Sequence, residues 1–437
     1  MSRRRLKING YRVTAKRFCA ALCFLLFAAA CQLPTVRAAN YEQRLAIFDA
    51  VWQSIGERYY DPNLRGVDWR LQREIYRRRA AEAPNDREFY RVLRRLIGVL
   101  HDSHTRVYAP DERSDWRNPR AITTGISARE IENKILVAKI DKTQTGKARV
   151  QVGDEIVEID NQSIQTIIAN RIAEQTGAST EAARRLKAVA GIFEGAPDSF
   201  AQIKLRDVKG RERIIKLLRA RRNLPATFDA RRADSTLILT FDAFAPETVR
   251  EFYRVLNENL RGVRSIILDL RSNRGGSAEA MTDIASAFLP ANRALGKFVD
   301  RTGKNTIELE TRPWLFYTAS SARVPALPIV ILTSTATASA AEIFATALKQ
   351  QNRAKLIGTT TCGCVLAVKG QQTLPDGGAL EISEYDFRLP DNRRLEGIGQ
   401  TPDEIITPTR QDLLDNRDRA LMRALELLDK SSETRTQ

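Results

Sequence analysis

"LPIVILTSTATASAAEIFATALKQ", residues 327–350, decides the fold of this chain. Its first part is an apolar, β-branched run of the kind that a sheet buries on both faces. Its second part, "SAAEIFATALKQ", is rich in helix formers and begins on Ser339, with Glu342 three residues later. A buried strand passing so directly into a helix is half of a βα unit. The same alternation runs upstream. "STLILTF" leads to the helix "PETVREFYRVLNENL", and the buried strand "SIILDL" leads through "RSNRGGS" to the helix "AEAMTDIASAFL". Downstream come the strands "LAVKGQQTLP" and "ALEISEYDFRLP". Alternation of this kind predicts an α/β core over 225–410, a sheet covered by helices, with a polar C-terminal helix and tail over 411–437.

Earlier segments differ. "YEQRLAIFDAVWQSIGERYY" and "NDREFYRVLRRLIGVL" carry apolar residues at helical spacing, predicting a helical region over 40–115 that runs down to "HDSHTRVYAP". Between 118 and 222 short strands dominate. "KILVAKI", "EIVEI" inside "VQVGDEIVEIDNQSI", "SFAQIKLRD" and "RERIIKLLRA" are strands, and "STEAARRLKAVAG" is a helix among them.

The N-terminus reads as an export leader over 1–38. Eight basic residues and no acidic ones surround the apolar run "FCAALCFLLFAAAC", too short to span a bilayer comfortably, and "TVRAAN" offers a small-residue cleavage site. "FAAAC" is also similar to a lipid-attachment motif centred on Cys31, and an uncleaved anchor is a third reading. Each places the bulk of the protein outside the cytoplasm, periplasmic or extracellular, with membrane contact only through the leader or a lipid on Cys31. The leader holds much of the chain's +17 formal charge; without it the surplus is +9, scattered and without a basic-aromatic pattern. Nucleic acid is therefore not an expected partner.

Leader removal also takes Cys19, Cys23 and Cys31, leaving Cys362 and Cys364 of "GTTTCGCVL". A disulfide scaffold is excluded by so few cysteines. An extended i, i+2 pair lies near the upper limit of Cα separation for a bridge, so a Cys362–Cys364 bond is not expected. The chain has two histidines, too few for a zinc set, so no metal and no cofactor is expected.

Three stretches could carry chemistry. Ser339 is a helix cap or, at a strand-to-helix turn facing a helix N-terminus, a nucleophile. Gly275-Gly276 is an ordinary turn or a source of backbone N–H groups for an oxyanion. His101 and His104 are structural residues at a helix end, or one of them is a general base.

In order, "LDLRSNRGG", "TSTATASAAEIFATALKQQNRAKLIGTTT" and "EGIGQTPDE" resemble the C-terminal processing peptidases, also called tail-specific proteases, and "VQVGDEIVEIDNQSI" looks like the core of their PDZ domain. The resemblance implies an α/β fold with a crotonase- or Clp-protease-like catalytic core, an N-terminal helical region and an inserted PDZ-like domain over 118–222. It implies a serine endopeptidase acting on protein or peptide substrates, with the PDZ-like domain binding substrate C-termini or gating the site. Ser339 matches the nucleophile; Gly275 or Gly276, with the N–H of Ala340, match the oxyanion donors. Gly125 and Ile126 match the PDZ loop that takes a substrate end. Many members place a lysine where this chain has Cys364, and Lys369, an odd number of residues on, would point to the opposite face. A tricorn-like branch uses serine, histidine and glutamate instead. Its pattern matches "DSH" at His104, with Ser103 assisting, and Glu396 in "EGIGQTPDE". On this reading Cys364 lines the site as a small neutral residue. Two other classes fit the same residues: a catalytically inactive peptide- or ligand-binding member of the fold, and a PDZ scaffold.

Overall fold

The computed structural model describes residues 40–112, 120–174, 177–313 and 327–433. The expected leader and Cys31 lie outside the described residues.

The sheet predicted from 327–350 is central. Five strands run parallel in the order Thr236–Phe241, Ser265–Asp269, Ile329–Thr333, Lys355–Gly358 and Glu404–Ile405, with Phe228–Ala233 antiparallel at one edge. The strand Ile329–Thr333 is buried throughout, which explains its uninterrupted apolar composition. Helices Pro246–Asn259, Ala278–Ala285 and Ala340–Gln350 cover one face, where Phe252, Met281 and Phe344 pack on Leu239, Leu268 and Ile331. The C-terminal helix Arg419–Glu433 covers the other face through Ala420, Ala424 and Leu428, against Ile238, Ile267 and Val330.

A second sheet pairs Ala379–Arg388 with Ala294–Asp300, Ala367–Thr373 and Arg106–Tyr108. The helical block upstream consists of 40–58, Trp69–Ala81 and Asp86–Gly98. The last helix starts where Asn85 accepts the N–H of Glu88 at 3.0 Å. These helices pack Phe48, Phe89 and Leu93 onto Leu380 and Ile382 of that sheet. The block ends before residue 106, because Arg106–Tyr108 leaves the helices and joins the sheet edge. That crossing carries the histidine segment 101–105 towards the core.

The middle segment folds on its own sheet, in the order Ile126–Ile131, Lys134–Ile140, Glu155–Ile159, Phe200–Arg206 and Glu212–Leu218, over a core that includes Ile135, Ile156, Ile203 and Val189. Both chain connections to the rest pass through a two-stranded ribbon, Arg120–Thr123 with Ala220–Asn223. Its helix Glu181–Ala190 is capped by Thr180, whose Oγ1 accepts the Ala183 N–H at 3.1 Å. Among the described residues no helix is long and apolar enough to cross a membrane.

Candidate active site

Three neighbouring parallel strands end on the same side of the central sheet. Their following loops, 270–277, 334–339 and 359–366, therefore meet at its carboxyl edge, where open α/β sheets place their ligands. In the first loop the Asn273 side chain donates to Phe241 O (3.0 Å) and accepts the Gly275 N–H (2.8 Å). Asn273 O accepts the Ala338 N–H at 3.0 Å, which ties the first loop to the second. Gly275 (φ 91°) lies so close to the second loop that a Cβ there would stand 2.6 Å from Ser339 Cβ and 3.0 Å from Ala340 N. At Gly276 (φ 130°) a Cβ would stand 2.3 Å from Phe244 O. Both positions exclude any side chain.

Ser339 stands at the start of the helix Ala340–Gln350 with φ 58° and ψ −126°. An N-cap residue ordinarily sits in the β region, whereas this conformation is costly for any residue but glycine and is held only by strong surroundings. Those surroundings are visible. The Ser339 N–H donates to Cys364 O (2.9 Å) and to Glu342 Oε2 (3.1 Å). Glu342, completely buried, also accepts from Thr361 Oγ1 (2.6 Å), Gly363 N–H (2.6 Å) and Cys364 N–H (2.9 Å). Burial pushes its carboxyl up to about 6 despite these four donors. The helix thus opens on a carboxylate that fastens the third loop beneath the serine.

The third loop overturns one expectation. Cys362 and Cys364 are bonded to each other, with Cα atoms 5.2 Å apart. The chain is not extended between them, because Gly363 takes φ 70° and folds it back. Cys364 is buried and its sulfur accepts the Ser103 hydroxyl at 3.2 Å. A sulfur in a disulfide has no thiolate to offer, so Cys364 is not a base in this state. Glu342, Cys362 and Cys364 form the one group of three metal-ligand side chains among the described residues. With the sulfurs joined and Glu342 engaged by four donors, the group is committed to the loop. Lys369 is exposed on the strand Ala367–Thr373.

Asp102, buried, shapes the histidine segment by accepting the N–H groups of His104 (2.7 Å) and Thr105 (3.1 Å). Thr105 Oγ1 in turn accepts the Ser383 N–H at 3.1 Å, locking the segment to the second sheet. His104 Nδ1 is shut away from solvent without a hydrogen-bond partner. Burial, then the Arg106 charge, lower its pKa to about 4, so the imidazole is neutral at physiological pH. His101 is exposed instead, its Nδ1 3.1 Å from Arg184.

Glu396, 6 % exposed, places one oxygen on the Val365 N–H (2.8 Å). Its other oxygen is buried without a hydrogen bond, with Arg65 Nη1 3.6 Å away. Burial and then the Asp102 charge push its pKa up to about 7. Asp102 thus bears electrostatically on both His104 and Glu396, and so does Lys187, which burial lowers to about 8. Asp102 stands first in the "DSH" motif but was given no role of its own; Arg65 and Lys187 were not among the expected site residues, because nothing in their local sequence separates them from surface charges.

Gly125 and Ile126 are not brought to this cluster. The Gly125 N–H is engaged by Thr123 Oγ1 (3.0 Å), its carbonyl accepts the Asp141 N–H (2.7 Å), and Ile126 is buried and paired with Ile140.

Known proteins resemble this chain in sequence and in fold. Residues 235–406 match peptidase family S41, residues 40–98 match the tricorn protease C1 domain, and residues 122–198 match a PDZ domain. A carboxyl-terminal-processing protease of Synechocystis sp. is 26% identical over 404 residues, covering 90% of this chain and 88% of that protein. The solved structure of a photosystem II D1 C-terminal processing protease superposes with a TM-score of 0.54 at 21% identity, over 84% of this chain and 93% of that one. That of mature CPAF superposes with a TM-score of 0.64 at 15% identity, over 86% and 94%. Residues 235–406 carry the pattern of peptidase family S41, and the chain is a serine-type peptidase, a hydrolase of peptide bonds. The whole is a homologue of the carboxyl-terminal-processing proteases, with N-terminal helices and a PDZ domain in a mixed α/β fold, and its substrates are proteins or peptides.

Proposed function

We propose that this protein is an exported endopeptidase that forms an acyl-enzyme on Ser339, with His104 as general base and Glu396 orienting the imidazole. The observation that carries the reading is the Ser339 backbone. A cap residue has no need of φ 58°, whereas a nucleophile lifted out of a strand-to-helix turn does. Serine attacks the scissile carbonyl while His104 takes its proton and returns it to the leaving amine. Gly276 and Ala340 are the favoured oxyanion donors, because the Gly275 N–H is already given to Asn273. The free Nδ1 of His104 and the free oxygen of Glu396 are a donor and an acceptor buried under shared charges. Bonding them to each other satisfies both, and Ser103 supports the arrangement from the adjacent residue. The PDZ-like domain, over 118–222, binds substrate C-terminal ends; the curated relative's name, a carboxyl-terminal-processing protease, supports that substrate class.

The test is cleavage of an unfolded protein carrying an apolar C-terminus. Wild type should cut it, Ser339→Ala should not, and amidating the terminal carboxylate should raise KM. Wild type that binds this substrate without cutting it at any pH contradicts the reading.

Two further outcomes follow. Gly275→Ala should lower kcat by about 10²-fold or more, since its methyl would press on Ser339 Cβ and Ala340 N; single-turnover acylation rates measure this. The free enzyme should also gain activity as pH rises through about 7, where Glu396 ionises; below that value the neutral acid cannot steady an imidazolium. A kcat/KM profile should show this limb in wild type and lack it in Glu396→Gln.

A further inference from the structure

We propose that Ser179, carried by the PDZ-like part of the chain, is a positioning residue of the catalytic centre, holding Ser103 in place beside His104. The inference rests on the Ser339–His104–Glu396 reading and adds a residue that the sequence patterns do not mark.

The geometry is reciprocal. Ser179 Oγ accepts the Ser103 N–H at 3.2 Å, and Ser103 Oγ accepts the Ser179 N–H at 3.0 Å. Two segments 76 residues apart are thus locked together one residue before His104. The Ser103 hydroxyl then donates onward to Cys364, whose carbonyl holds the Ser339 N–H. Neighbouring contacts fix Ser179 there. Thr180 Oγ1 donates to Cys362 O at 2.8 Å, and Ala178 and Ala183 pack on Cys362, Cys364 and Ala338. Lys187 Nζ donates to Gly177 O at 2.8 Å, and Gly177 lies so close to Asp102 O that a Cβ would be 3.1 Å from it.

The test uses the full chain with Ser179→Ala and Ser179→Thr. Ala should lower kcat about 10- to 100-fold with KM within about twofold, as misplacement of catalytic groups does. Thr keeps the hydroxyl and should restore kcat. Rates are referred to active sites counted by fluorophosphonate titration, so a reduced folded fraction does not lower kcat. An Ala variant with unchanged kcat overturns the proposal. So does an Ala variant that is faster than wild type, which would make the segment a plug. Fluorophosphonate labelling of Ser339 is followed in parallel. Wild type that resists the reagent removes the underlying reading, whereas labelled Ser339 with an indifferent Ser179 removes only this inference.

Discussion

Ser339→Ala should lower kcat/KM by about 10⁵-fold or more while leaving the fold intact. Loss of a serine nucleophile in an assembled site has this scale, because the residual rate comes from binding and oxyanion stabilisation alone. The fold should survive because the contacts made at this position belong to the backbone. The Ser339 N–H is the group that meets Cys364 O and Glu342, and an alanine keeps it. Alanine also bears the same strain at φ 58° as serine, so little stability changes. Ser339→Gly makes the complementary point. It should be equally inactive yet more stable, by about 1 kcal/mol or more, because glycine takes that conformation freely. Thermal melts beside active-site titration separate the two effects. A Ser339→Ala protein that keeps even a tenth of the activity would return Ser339 to the role of a helix cap.

His104→Ala should be nearly as damaging, with kcat down about 10⁵-fold, and combining it with Ser339→Ala should cost little more, since the two act as one unit. Its backbone is held by Asp102, which the substitution leaves in place. Glu396→Gln should cost less, about 10⁴-fold, because an amide keeps shape but cannot stabilise the imidazolium. Cys364→Ala should stay within about tenfold of wild type, its sulfur being bonded to Cys362 and holding no proton to exchange. Steady-state kinetics on the four proteins decide the base: a silent His104→Ala beside a dead Cys364→Ala would reverse the assignment.

The central sheet was legible because its strands are short apolar runs, each followed by a helix with a clear start. Ser339 was legible as a residue with two readings, and what separates them is a backbone angle that composition does not encode. Glu342 read as the third residue of a capping box. Its larger job, fastening Gly363 and Cys364 beneath the nucleophile, depends on a loop about twenty residues away. The cysteine pair was misread for a local reason. Taking the chain between them as extended ignored what Gly363 permits, and at φ 70° it closes the gap. Three residues, Arg106–Tyr108, are too few to show a period, so an edge strand was absorbed into the helical block. Arg65, Lys187 and Ser179 matter only because segments far apart in sequence meet around Ser103, His104 and Glu396.

Peptide mapping of the enzyme after reaction with a fluorophosphonate tests the central claim most directly. The account predicts a single phosphonylated residue, Ser339, in the folded wild-type protein, with labelling slowed at least 10²-fold in His104→Ala. A folded protein that carries no adduct, or carries it on another serine, would contradict it.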